Sequence, residues 1–76
     1  MIAGIKLQIT ADARALAGVA GNLKARAAHL RALYDQMSEA DQLSPNSEAL
    51  ADQAATLEAI AQTATDSALE LIGIAN

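Results

Sequence analysis

Aromatic side chains are almost missing from this chain: Tyr34 is the only one, and there is no Phe or Trp. That excludes a core built on large rings, each of which would bury far more area than an alanine. Cysteine is absent too, so neither a disulfide nor a thiolate metal site is available, a composition compatible with the cytosol. No apolar run approaches the ~20 residues needed to cross a bilayer, because charges interrupt every stretch, and no membrane partner is expected. The segment Met1 to Ile9 contains Lys6 and lacks an apolar region followed by a small-residue cleavage site. It is not read as a signal peptide, and export by that route is not expected.

The basic half of the charge inventory is thin. Five basic residues (Lys6, Arg14, Lys24, Arg26, Arg31) all precede Tyr34, whereas eight of the nine acids follow it. Basic residues scattered around one helix without aromatic neighbours make a poor nucleic-acid footprint, so no nucleic-acid partner is expected. Opposite charges on the two halves instead fit a helix–helix seam whose pairing they orient. Antiparallel folding about the turn would bring Arg26 and Arg31 towards Glu58, and Arg14 towards Glu70.

Alanine is abundant: 20 of the 76 residues. It enters a helix at the lowest cost of any residue but buries little area. A single domain of this length draws only ~3–5 kcal/mol from its own core. The composition therefore predicts one domain, residues 1–76, with readily formed helices and a need for further packing partners.

Gly4 to Ile9 alternates apolar and polar residues strictly, which predicts a short β-strand over about 4–9. The same window also reads as an extension of the helix that follows. Thr10 is a suitable N-cap with Asp12 in the first turn. The first helix is expected over about 11–40, with Gly18 and Gly21 marking either a close backbone approach or simple tolerance. Ser44-Pro45 is a helix start, serine capping and proline at the first helical position. The second helix is expected over about 45–72, ended by Gly73 in a left-handed cap. The fold class is thus mainly α, an antiparallel hairpin preceded by a strand, completed as a multi-helix bundle with other copies or a partner protein.

A seven-residue register carries this expectation. In the first helix Leu16, Leu23, Leu30 and Met37 form one row beside Ala20 and Ala27. In the second, Leu50, Leu57 and Leu71 run beside Ala54, Ala61 and Ala68. Leucine of one helix then fills the space above alanine of the other, allowing close antiparallel packing. At the opposite pole from the turn, Ile5, Leu7 and Ile9 join Leu69, Ile72 and Ile74 in an apolar group that this chain cannot bury alone. That pole is the expected association surface, with a homo-oligomer or a partner protein as its occupant.

No chemistry-bearing constellation is evident. His29 is the sole histidine, and no nucleophile–base set can be assembled around it, so neither enzyme activity nor a metal or other cofactor is expected. The carboxylates Asp35, Glu39, Asp41, Glu48 and Asp52 crowd the turn. They form either a solvated loop or an acidic tip able to dock on a basic surface.

The opening Ala3-Gly4-Ile5-Lys6-Leu7-Gln8-Ile9, followed by Asp12 and a leucine-rich helix through Leu30 and Leu33, resembles the start of phage virion-morphogenesis or tail-completion proteins. Leu43-Ser44-Pro45-Asn46, in a chain of this size, is similar to the turn of type III secretion needle subunits. Both resemblances imply a small non-enzymatic protein working in an assembly, within the host cytoplasm or a phage particle. The alternative is a phage inhibitor of a host protein that binds through the acidic tip.

Overall fold

The computed structural model describes residues 2–76. Three helices follow one another: α1, Ala3–Asp35; α2, Glu39–Gln42; and α3, Pro45–Ala75. The two long helices lie side by side and antiparallel in a rod with Cα extents of 59 × 13 × 13 Å.

The strand expected over 4–9 is not formed. The described residues contain no strand, and Gly4 to Ile9 are helical from the first turn of α1. The physical reason is backbone satisfaction. A lone strand would leave its N–H and C=O groups unpaired, whereas extending an existing helix pairs them without a new nucleation cost. Lys6 N–H donates to the Ile2 carbonyl at 3.0 Å, and Thr10, expected as a cap, instead donates its Oγ1 proton to the Lys6 carbonyl at 2.9 Å. The heptad also continues upstream: Ile9 stands seven residues before Leu16, and Ile2 seven before Ile9.

Two further boundaries move. α1 stops at Asp35 rather than Ala40, because Ser38 caps a separate turn of helix by accepting the Asp41 N–H at 3.2 Å. α3 begins as expected, with Ser44 Oγ accepting from the Ser47 N–H and proline in the first turn. It runs past Ile72 to Ala75, and Gly73 is an ordinary helical residue, since no described glycine has a positive φ. Gly18 and Gly21 mark no close approach either; a Cβ added at either would meet nothing within 4 Å.

The seam is made of alanine. Ala13, Ala20 and Ala27 of α1 are buried, as are Ala54, Ala61, Ala64, Ala68 and Ala75 of α3. Ala20 packs with Ala61 and Ala64, and Leu23 covers that cluster. Seven-residue steps along each antiparallel helix then set Leu16 level with Ala68, Ala27 with Leu57, and Leu30 with Ala54. Large stands beside small at each of these levels, and the central one, Ala20 with Ala64, is small on both sides.

Ser47 occupies the position of the alanine row nearest the turn and is fully buried. Its Oγ lies 2.5 Å from the Gln42 carbonyl and 2.7 Å from that of Ser44, so one hydroxyl proton is shared between two turn carbonyls. Gln42 Nε2 donates in turn to the carbonyls of Tyr34 and Met37, closing the end of α1. The connection therefore satisfies its own polar groups and holds the register of the seam.

Enlarging the seam should be costly where enlarging the surface is not. Ala61→Leu, at a position with no solvent exposure, should cost about 1–3 kcal/mol by overpacking. Ala55→Leu, exposed on the same helix, should stay within about 0.5 kcal/mol of the parent. Urea unfolding followed by circular dichroism measures both; equal stabilities would contradict an alanine-set helix spacing.

Candidate functional site

The alanine seam divides the rod into two flanks of different character. On one flank Lys24, Ala28, Arg31, Glu58 and Gln62 border a common shallow groove. Arg31 and Glu58 are the one ion pair among the described residues, bonded through the Arg31 Nε and guanidinium terminus to Glu58 Oε1. The hydrogen bond from Arg31 holds the Glu58 carboxyl below its ordinary pKa. Of the pairings expected from sequence this is the one formed; Arg26 lies on the other flank, and Arg14 and Glu70 are both exposed without an ion pair between them.

The other flank carries the leucines. Leu30 and Leu57 border common grooves in the half nearer the turn, with Arg26 and His29 beside them on α1 and Gln53 and Thr56 on α3. Leu16, Leu23, Leu30, Leu50, Leu57 and Leu71 are only half-buried, since alanine occupies the closest approach and displaces them outward. Outside them, at fourteen-residue spacing, stand Ile5, Val19 and Leu33 on α1 and Ile60 and Ile74 on α3. All five of these outer residues are exposed, Val19 by 48% and Ile60 by 51%. The result is an apolar strip along the rod, interrupted by Asp12 and Arg26 on α1 and by Gln53 and Ser67 on α3.

The residues expected to form the association pole do gather at the open end of the hairpin. Ile5, Leu7, Leu69, Ile72 and Ile74 are exposed and Ile9 is half-buried. They do not form one surface. Ile5, Ile9 and Ile74 continue the leucine flank, whereas Leu7, Leu69 and Ile72 fall in the heptad rows of Ala28, Gln62 and Glu58 on the opposite flank. Of the seam residues named from sequence, the alanines are buried, while the leucines and Met37 face partly outward.

The acidic tip is dispersed around the turn, with Asp35, Glu39, Asp41, Glu48 and Asp52 all exposed. Glu39 and Asp41 lie in the first turn of α2 and Glu48 in the first turn of α3, where negative charge offsets the helix dipole. Among the described residues no group of three or more His, Cys, Asp or Glu is placed to hold a metal ion. His29 is exposed on the rim of the leucine flank. No described helix is long and apolar enough to cross a membrane.

Comparison with protein-family models, curated proteins and solved structures returns no match. What is shown is a small all-helical bundle, and its most distinctive surface is the leucine flank. The sequence period alone does not expose that surface, because helix pairing consumes most of the leucine–alanine stripe. The signal was nonetheless present in the outer rows of Ile5, Val19 and Leu33, and of Ile60 and Ile74.

The Glu58 pKa gives a pH test of the other flank. A carboxyl held below its usual value contributes stability that is complete above the ordinary carboxylate pKa, near ~4.3. That contribution is lost as the pH falls through the lowered value. Glu58→Gln should therefore lower the melting temperature slightly at neutral pH and flatten the acid limb, the two profiles converging as the pH falls through the lowered value. Parallel acid limbs in the two proteins would contradict the pairing.

Proposed function

We propose that this chain is a non-enzymatic interaction module that buries its leucine flank against further helices in an assembly. The observation that carries the reading is the strip of half-buried leucines edged by exposed Val19, Leu33, Ile60 and Ile74. Contiguous exposed apolar surface of this kind marks association sites, whereas isolated surface leucines do not. The same strip explains how so small an alanine core is sustained: a leucine brought to full burial contributes about 1.5–3 kcal/mol relative to exposure, and much of that is still unrealised here. A structural or morphogenesis role, in a phage particle or a filament, is the form of assembly that the two sequence resemblances imply. The strand on which the first of them rested is helix, so the part retained is the shared one, a small component of a larger structure. Glu39, Asp41 and Glu48 already serve helix N-termini, so the leucine flank is preferred to an inhibitory acidic tip.

Paired substitutions separate this flank from the pole. In Val19→Glu/Ile60→Glu both changes are on exposed helical positions, so helicity should persist by circular dichroism. An oligomer of the native chain should dissociate in this variant; a native monomer should bind an apolar fluorescent dye that the variant no longer binds. Leu7→Glu/Leu69→Glu, on the opposite flank, should change neither property. The reading is contradicted by a monomer that binds no dye, or by an oligomer that only the second pair dissolves.

A further inference from the structure

On α1 the leucine flank repeats its own chemistry in reverse about a single height on the rod. The outer row of α1 is Ile5, Asp12, Val19, Arg26 and Leu33, in steps of seven. Taken outward from Val19, apolar matches apolar at the ends, and between them an acid stands where the other side has a base. The inner row straddles the same height, with Leu16 and Leu23 on either side of it and Ile9 and Leu30 beyond. On α3 the row Leu57, Ala64, Leu71 is centred on Ala64, and Ala64 packs with Ala20, one residue from Val19. The inner rows of both helices therefore place their centres at one level, while the uncharged outer row of α3 sets Ile60 opposite Ser67 and Ile74 opposite Gln53 in that reversal.

The geometry points to a second copy of this chain as the occupant, stacked flank to flank about a two-fold axis that crosses the helices at the height of Ala20 and Ala64. This rests on the leucine flank being the association surface and names what covers it. A two-fold interface is self-complementary, each residue meeting its counterpart in reverse order. With that axis, Asp12 faces Arg26 of the second copy, Arg26 faces its Asp12, Val19 meets Val19, and Ile5 meets Leu33. Asp12 and Arg26 are both exposed and neither is ion-paired within the chain among the described residues. They are the two charges in the outer rows of the strip, and this arrangement pairs them both.

The competing stack, with its two-fold along the rod, sets α1 against α3 of the second copy. Asp12 would then lie near the level of Leu71 and Ile74, and Arg26 near Leu57 and Ile60, leaving two charges unpaired in an apolar interface. Charge complementarity thus selects the crossing axis. Size agrees: a flank 59 Å long and 13 Å between Cα extents is on the order of the ~800 Å² per partner of a standard interface.

Charge reversal tests this directly. Asp12→Arg puts arginine against arginine twice in the stacked pair, and Arg26→Asp puts aspartate against aspartate twice. Each variant alone should weaken the dimer about tenfold or more in Kd by sedimentation equilibrium, with helicity unchanged. An equimolar mixture of the two should form heterodimers as tight as the native dimer, because one chain then carries only arginine and the other only aspartate at these positions. The native chain has no cysteine, so Val19→Cys introduces a single thiol beside the axis and should oxidise to a covalent dimer, whereas Leu7→Cys should not. A mixture that stays dissociated, or single variants that dimerise like the native chain, would overturn the crossing axis. A native chain that is monomeric throughout yet binds dye on the leucine flank would overturn the second copy and leave the association surface standing.

Discussion

Alanine at the closest approach of two long helices is the constraint from which the rest of this structure follows. A methyl group at Ala13, Ala20, Ala27, Ala54, Ala61 and Ala68 lets the backbones draw together, so the seam is narrow and fully closed. A narrow seam has no room for leucine at its centre. The leucines are consequently displaced to one flank, where each is half-covered by the neighbouring helix and half-open. Tight packing and an unfinished apolar surface are thus two results of one arrangement, and a chain that buries mainly methyl groups gains little from its own core.

The turn is built to hold this register. Ser38 and Ser44 cap the helices that follow them, Gln42 closes the carbonyl end of α1, and Ser47 combines the small size its row demands with a hydroxyl that binds turn carbonyls. Every one of these polar groups is satisfied locally, so the turn fixes the relative height of the two helices without a large side chain. Arg31 and Glu58 hold the rotation on the polar flank, although an exposed pair of this kind contributes orientation more than stability. Height and rotation together decide which residues share the apolar strip.

The hairpin was legible in the sequence because two signals agreed: the heptad of leucine and alanine, and the Ser44-Pro45 start. The amino-terminal segment reads as a strand yet folds as helix, because Ile5, Leu7 and Ile9 alternate over a window too short to show a seven-residue period. Only the longer comparison, Ile2 with Ile9 and Leu16, reveals that the helical period already runs there. The division of α1 from α2 is not legible for another reason: Ser38 ends no apolar pattern and acts through a single backbone bond. The leucine flank itself could be seen only with the rotation of each helix known. Sequence period tells that Leu30 and Ala27 share a stripe; it does not tell which of them reaches the centre.

The central claim, that the chain associates along its length through the leucine flank, is tested most directly by small-angle X-ray scattering combined with an absolute mass. Two hairpins stacked about the height of Ala20 and Ala64 overlap almost completely, so the account expects twice the monomer mass in a particle scarcely longer than the 59 Å rod. A dimer of roughly twice that length would place the contact at the open pole and contradict it.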